Sequence, residues 1–326
     1  MRKLARIETI LSIDPIAGAD KIEVATVQSW RVVVKKGTFK VGDLALFFEI
    51  DSLLPLRPWS SFLFKDKREL YRLRTVKLRG VVSQGLLVPL AEVPELAGRE
   101  WVEGDDVTDL LSVQKWEMQI PAQLAGQVKG NFPSFVRKSD EERIQNARYV
   151  VNEIKDIPIY VSVKCDGTSM LCYKHEGVFG VCSRNLDLRE EGGDSYWAMA
   201  KELDLPAKLP DGFAIQGELV GPGIQGNKMG LVKKTLYLFN VWDIKNQRYL
   251  DYADFISFAA SLGVETVPMA SINWVENKPA SVDEWLAYAL ALNYPNGKPA
   301  EGVVVRPMIE RYSPALDGRL SFKVIS

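Results

Sequence analysis

The stretch VSVKCDGTSM, residues Val161–Met170, sets how the rest of the chain is read. A β-rich run that begins at IPIYVSVK (157–164) delivers Lys164 to the end of a predicted strand, and Asp166 with Gly167 then turns the chain. A lysine at a strand terminus beside a glycine turn is fixed in place and still reaches a ligand. A lysine amine is a covalent nucleophile only when unprotonated, so its ordinary pKa of ~10.4 must fall. Nearby cations, including a metal on nucleotide phosphates, produce that fall. A surface lysine in a hairpin turn is the competing reading, and a four-residue pattern alone does not exclude it.

Further elements follow in order. SRN (183–185) comes after a strand and offers Arg184, a planar fork donor suited to phosphate. QGELVG (216–221) places Glu218 at the end of an apolar run, and LYLFNVWDI (236–244) places Phe239 inside a strand. EGVVVRP (301–307) sets Glu301 before an apolar strand, and LSFKVIS (320–326) sets Lys323 on a final one. Singly, each has a plain reading: a surface ion pair for Arg184, a core ring for Phe239, a turn residue for Glu301. The runs TSMLCYK, VFGVCS and GFAIQGELV add strands, and helices are expected at 197–203, 253–262 and 282–292. Interleaved strands and helices, mostly hairpin-like, predict an α+β domain rich in antiparallel sheet.

Upstream, the pattern changes. Strands are expected at 21–28, 30–35, 44–50, 71–78 and 85–89, punctuated by Gly37, Gly42, Gly80 and Gly85. Short strands with loops between them predict a small OB-like β-barrel, a frequent nucleic-acid platform. Net charge is −1, yet residues 1–80 carry 16 Lys+Arg against 9 Asp+Glu. A basic part within a neutral chain points to a polyanion partner, against the plainer reading of a solvated face. Much of that charge lies in KDKRELYRLRTVKLRG (65–80), where Arg72 and Arg74 share one strand phase and Lys77 and Arg79 the other, so a bulge or bend is expected near Thr75. The domains are placed at 1–120 and 121–326, with a linker about 110–135 around Pro121, Gly126, Gly130 and Pro133. KSDEERIQNARYVVNEI (138–154) is expected to be a helix opened by a capping box of Ser139 and Glu142.

Several classes are set aside. No apolar run is long enough to span a membrane, and the N-terminus lacks a cleavable apolar stretch, which predicts a cytoplasmic location. Cys165, Cys172 and Cys182 surround the single histidine, His175, without a CxxC pair, so small buried cysteines on neighbouring strands are preferred to zinc. GPGIQGNK (221–228) has Asn227 where a P-loop needs lysine, no GxGxxG follows a suitable strand, and one histidine disfavours a hydrolase triad.

Taken together, the elements resemble the covalent nucleotidyltransferase superfamily of polynucleotide ligases and mRNA capping enzymes. Lys164–Gly167 matches motif I (KxDG), Arg184 motif Ia, Glu218 motif III, Phe239 motif IIIa, Glu301 with Gly302 motif IV, and Lys323 motif V. The order and strand-end placement of the whole set are far more specific than KxDG alone. The closer resemblance is to the Deinococcus-type ATP-dependent RNA ligases, which place an OB-like module before the nucleotidyltransferase domain. ADKIEVATVQSWRVVVKKGTFKVGDLALFFEIDSLLP (19–55), TVKLRGVVSQGLLVPL (75–90) and KSDEERIQN (138–146) carry that likeness. Ser169 stands where some RNA ligases have Asn, and Ile325 where motif V often has a second lysine. One lysine then suffices, or the natural chain runs on.

The resemblance implies an enzyme that joins a 3′-hydroxyl to a 5′-phosphate at a nucleic-acid break, RNA favoured, through AMP on Lys164 and then on the 5′ end. It implies ATP and Mg²⁺ or Mn²⁺ as cofactors, and no protein partner is evident. Val163, Lys164, Asp166 and Gly167 would bind nucleotide, with Arg184 and Lys323 on phosphates and Phe239 on adenine. Glu218 would hold the ribose or the surroundings of the lysine, and Glu301 the metal. A DNA ligase, a capping-like guanylyltransferase and a non-enzymatic OB-based RNA-binding protein are the alternatives; the guanylyltransferase usually carries its OB module after the catalytic domain.

Overall fold

The computed structural model describes residues 3–64, 69–79, 81–116, 127–192 and 195–325. Contacts divide the chain into two compact units, Met1–Gln119 and Ile120–Ser326.

The first unit is made of short strands: β1 (Ala5–Thr9), β2 (Ser12–Pro15), β3 (Ile22–Val27), β4 (Trp30–Lys35), β5 (Leu44–Phe48), β6 (Ser52–Pro55), β7 (Leu70–Arg72), β8 (Val76–Leu78), β9 (Val81–Ser83), β10 (Leu86–Pro89) and β11 (Gln114–Lys115). They form antiparallel sheets ordered β1-β5-β10, β2-β3-β4 and β11-β6-β7, with β8 and β9 as a separate hairpin. Strand β5 is central because it is apolar on both faces. Leu46 and Phe48 enter one core with Leu54 and Trp59, while Ala45 and Phe47 enter the other with Trp30 and Val32. Alternate side chains of a strand point to opposite faces, so one strand serves both. The strand expected over 71–78 breaks between Arg72 and Val76, where Leu73 turns into the core and exchanges backbone bonds with Asp51 and Ser52. Lys65–Arg68 and Gly80 of the basic segment lie outside the described residues, as do residues 117–126 of the expected linker.

The second unit contains β12 (Val128–Asn131), β13 (Glu142–Arg143), α1 (Val150–Ile154), β14 (Ile159–Val163), β15 (Thr168–His175), β16 (Val178–Cys182), β17 (Leu186–Leu188), α2 (Ser195–Glu202), α3 (Leu205–Lys208), β18 (Phe213–Val220), β19 (Thr235–Asp243), β20 (Arg248–Tyr249), α4 (Tyr252–Leu262), β21 (Met269–Trp274), α5 (Val282–Leu290), β22 (Val303–Pro307), β23 (Tyr312–Ser313), β24 (Gly318–Arg319) and β25 (Phe322–Val324). One sheet runs β12-β17-β16-β15-β18-β19-β20 and a second runs β13-β25-β22-β14-β21. All pairings are antiparallel except that of β13 with β25. Helices α2, α3 and α4 cover the first sheet through Trp197, Leu205 and Phe255. Helices α1 and α5 cover the second through Ile154 and Trp285. Val163 and Met269 of the second sheet share a further cluster with Val220, Tyr237 and Phe239 of the first, together with Cys165.

The capping box lies at α5 rather than at Ser139. Ser281 Oγ accepts from Glu284 N, and the Glu284 carboxylate accepts from Ala280 N. The expected helix over 138–154 reduces to a 3-10 turn at Ile144–Asn146 and a final short helix, α1. Its first half is extended because its side chains bond outward. Lys138 Nζ donates to Asn185 Oδ1, Ser139 Oγ lies 3.2 Å from Ser169 Oγ, and Glu142–Arg143 pairs alongside Phe322–Lys323. All three cysteines are free and buried. Cys172 and Cys182 sit on the adjacent strands β15 and β16, and Cys165 follows β14. Among the described residues no helix is long and apolar enough to cross a membrane.

Candidate active site

Strand β14 carries Lys164 to the edge where the two sheets of the second unit meet. Its backbone N–H donates to Gly302 O at 2.9 Å, and the carbonyl accepts from the Tyr294 hydroxyl at 2.8 Å. Val163 N donates to Pro268 O, so both sides of the strand end are tied. The ammonium lies 2.7 Å from Glu301 Oε1, with the two side chains 27% and 31% exposed. This pair is therefore held but open to a ligand. Gly302 is required here: its φ is +146°, and a Cβ would meet Val324 O at 2.2 Å.

The turn after Lys164 packs against β18. A Cβ on Gly167 would meet Leu219 O at 2.4 Å, so glycine lets the turn reach the strand that bears Glu218. The Glu218 carboxylate accepts a hydrogen bond from the Gly167 backbone. Burial pushes the Glu218 carboxyl up to about 7, and Glu301 adds to the rise, while Lys164, Arg184 and the Gly167 N–H pull against it. Asp166 pairs with Lys228 at 2.8 Å.

Strand β19 is bulged at Phe239. Gln216 pairs with Asn240 and Gly217 with Leu238, so Phe239 is the extra residue on β19. Leu236 and Leu238 enter the helix-covered core before the bulge and Val241 enters it after, a change of parity. Phe239 shares the face of Tyr237 by ordinary alternation and joins it in the cluster that contains Val163 and Cys165, partly buried rather than sealed, while the bulge keeps Asn240 out of the helix-covered core. The Arg306 guanidinium lies 5.9 Å from the ring centroid.

Arg184 sits on the turn between β16 and β17 and pairs with Asp140 at 2.5 Å. Lys323 is on β25, opposite Val304 of β22 and beside Arg143 of β13. The fold thus joins Lys164 directly to Glu301, couples both to Glu218, and places Asp166 and Gly167 at the same turn. Arg184 reaches the group through its charge on Glu218. Phe239 and Lys323 flank it on β19 and β25.

Tyr294 has no counterpart in the sequence reading. It is 2% exposed; its hydroxyl donates to Lys164 O and accepts from Glu301 N at 3.2 Å, linking the two residues across 137 positions of chain. Burial raises its phenol to about 12, so it stays a donor at neutral pH. NYPNGK reads only as a turn, and no local pattern marks its tyrosine. Lys228, in the segment set aside as a false P-loop, was missed for the same reason. A cleft of about 610 Å³ opens beside Glu301, with Arg143, Lys228 and Lys298 on its walls. A polyanion fits that sign of charge.

No group of three His, Cys, Asp or Glu side chains among the described residues is arranged as a metal cage. Mg²⁺-type ions are commonly held by one or two carboxylates together with substrate phosphates. The electrostatically coupled carboxylates of Glu218 and Glu301 are donors of that kind.

Comparison with known proteins agrees with this layout. A family model described as an OB-fold domain matches residues 4–90, and one described as RNA ligase matches residues 157–325. A mutant RNA ligase of Naegleria gruberi, solved with ATP and Mn, is 36% identical, with a TM-score of 0.87 over 100% of this chain and 96% of that one. The Naegleria gruberi RNA ligase with PPi matches at 36% identity and TM-score 0.87, covering 100% of this chain and 97% of that one. A further mutant with AMP and Mn matches at 37% and 0.87, with 100% and 97% covered. None of the curated proteins compared matches by sequence.

Proposed function

The chain belongs to the RNA ligase family, and on that premise we propose that it seals 3′-hydroxyl/5′-phosphate breaks in RNA, in nicked duplexes, with Lys164 as the residue that carries AMP. It is an ATP-dependent enzyme of the nucleotidyltransferase superfamily, and Mn²⁺ serves it as it serves the relatives solved with ATP and AMP. The observation that carries the assignment of Lys164 is its 2.7 Å pairing with Glu301 at an open strand end, beside Glu218.

Three displacements make up the reaction. Lys164 Nζ, having lost a proton, bonds to the α-phosphorus of ATP, and the bond to pyrophosphate breaks. An oxygen of the RNA 5′-phosphate then takes the AMP, and the N–P bond to Lys164 breaks. Last, the 3′-hydroxyl oxygen attacks the 5′-phosphorus, loses its proton, and AMP leaves. Positioning and charge neutralisation dominate catalysis of such transfers.

In this reading Tyr294 and the Gly302 carbonyl fix the backbone of Lys164, so the amine has little freedom to lose on attack. Arg184 and Lys323 neutralise phosphate charge. Phe239 stacks on adenine. Glu218 holds the ribose or the surroundings of the lysine. Glu301 with Glu218 would hold a divalent ion, which would supply further positive charge to neutralise the phosphates.

Incubation with α-labelled ATP and Mn²⁺ should label the protein, and peptide mapping should place the label on Lys164. Lys164→Ala should remove it while leaving the unfolding transition in place. Persistent labelling of that variant refutes the assignment. Nicked duplexes with RNA or DNA on each side of the break then test the substrate, and sealing of all-DNA nicks at equal rate would contradict the RNA reading.

A further inference from the structure

Among the described residues the β8–β9 hairpin of the first unit pairs with no third strand. It is attached at its base, where Ser83 Oγ accepts from Val33 N and Gln84 N donates to Arg31 O. Beyond that base its side chains are open. Val76, Leu78 and Val82 are 44%, 42% and 46% exposed. Arg74, Lys77 and Arg79 are exposed as well. A two-stranded hairpin on its own is marginally stable in water, so an element of this kind with apolar residues outward gains from a partner.

Charge decides which partner. From Leu70 to Ala91 the sequence contains no Asp or Glu, while it contains Arg72, Arg74, Lys77 and Arg79. Arg72 is already engaged: it binds Asp51 Oδ1 through Nη2 at 2.7 Å and Nε at 3.1 Å, and its guanidinium lies 3.2 Å from the Trp116 ring centroid. The outward cations are therefore the three on or beside the hairpin. Lys77 and Val82 are directly opposed in the register and share one face, while Val76 and Leu78 lie on the other, so the hairpin is open on both faces. A protein groove would match the methyl groups but not an acid-free run of cations. A nucleic-acid backbone matches both, with phosphates for the cations and sugar edges for the valines and leucine.

We propose that the β8–β9 hairpin is an RNA-binding arm, with Arg74, Lys77 and Arg79 on backbone phosphates and Val76, Leu78 and Val82 against the sugars. The proposal rests on the RNA-ligase reading and names a surface that reading does not require. The test uses the full-length protein with a 5′-adenylated nicked RNA duplex as probe, binding being measured from low to moderate salt. The variant Arg74→Ala/Lys77→Ala/Arg79→Ala should bind at least about tenfold more weakly at moderate salt, and its log–log salt slope should fall by about 2 to 3. Its lysyl-AMP formation from ATP should match the parent. The charge-keeping variant Arg74→Lys/Lys77→Arg/Arg79→Lys should retain binding and slope, which separates lost charge from a damaged fold. Leu78→Ser/Val82→Ser should weaken binding without changing the slope.

Unchanged affinity and slope in the triple-alanine variant overturn the arm. So does unchanged affinity accompanied by a shift in oligomeric state, because the hairpin would then join copies of this chain. If the parent protein itself fails to join or bind RNA, the ligase reading has failed, and that result is distinct from either.

Discussion

Two side chains beside Lys164 make testable demands. Glu218 has an ordinary carboxyl pKa of 4.5 that burial raises to about 7. A group raised in this way contributes stability that is fully present below about 4.5 and is lost as pH rises through about 7. Urea unfolding of the parent should therefore weaken between about pH 4.5 and pH 7, by about 2 kcal/mol after allowance for solvent near a partly covered residue. Glu218→Gln should flatten that decline; an equal decline in the variant would place the cause elsewhere. Tyr294 makes the second demand. Its hydroxyl satisfies both Lys164 O and Glu301 N, so Tyr294→Phe leaves two partly buried backbone groups short of a partner. The expected cost is about 1–3 kcal/mol in denaturant unfolding, together with slower labelling by ATP. Labelling at the parental rate would show that the clamp does not position the lysine. Asp166, Gly167 and Glu301 beside strand ends, and Glu218 within an apolar run, sit in short local patterns that the sequence displays. Tyr294 does not, because its role exists only once the turn that follows α5 meets the turn after β14.

The elements show where local pattern suffices and where it fails. Strands β14, β15, β16, β18, β19, β22 and β25 follow the apolar runs that predicted them, and α5 follows its Ser281 cap. The bulge on β19 is invisible to periodicity, because LYLFNVWDI is apolar nearly throughout and one inserted residue leaves no gap in the run. It matters, since without it Phe239 and Asn240 could not both leave the helix-covered core. Phe239→Leu should keep the strand and label less efficiently, and Phe239→Ala should be worse, because base stacking contributes about 1–3 kcal/mol in nucleic-acid sites. A nucleotide-bound structure with Phe239 turned away from the base would refute the stacking role. The misread helix over 138–154 has a clear physical cause. Polar residues at helical spacing looked like a solvated helix face, but Lys138, Ser139 and Asp140 bond to Asn185, Ser169 and Arg184 instead. Long-range side-chain bonds outweigh weak intrinsic helix propensity.

At the scale of the whole molecule, the cores separate cleanly. The two clusters of the first unit draw on residues between Leu4 and Val113, and those of the second on residues between Phe132 and Val324. Every residue assigned to nucleotide chemistry lies in the second unit, whereas the local basic excess lies in residues 1–80 of the first, ahead of an acidic stretch that brings Met1–Gln119 as a whole close to neutral. Net charge of −1 hides that division, which only the distribution along the sequence reveals. A division of labour follows as a prediction. A fragment beginning at Gln127 retains the clusters around Trp285 and Phe255 and should form lysyl-AMP with ATP and Mn²⁺. Trp285→Ala in the full chain, which removes a fully buried ring, provides the folding control: a loss of about 3–5 kcal/mol should abolish labelling by unfolding. The fragment should differ from that control by keeping a cooperative thermal transition and its label. It should nevertheless bind a nicked RNA duplex weakly and seal a 5′-adenylated nick slowly, because phosphate contacts supply most of the affinity for the strand. Adding the isolated first unit in trans should restore little, since two separate molecules lack the high effective concentration of one chain. If the fragment seals nicks as fast as the whole protein, the first unit has another task, and its basic face is only a solvated surface.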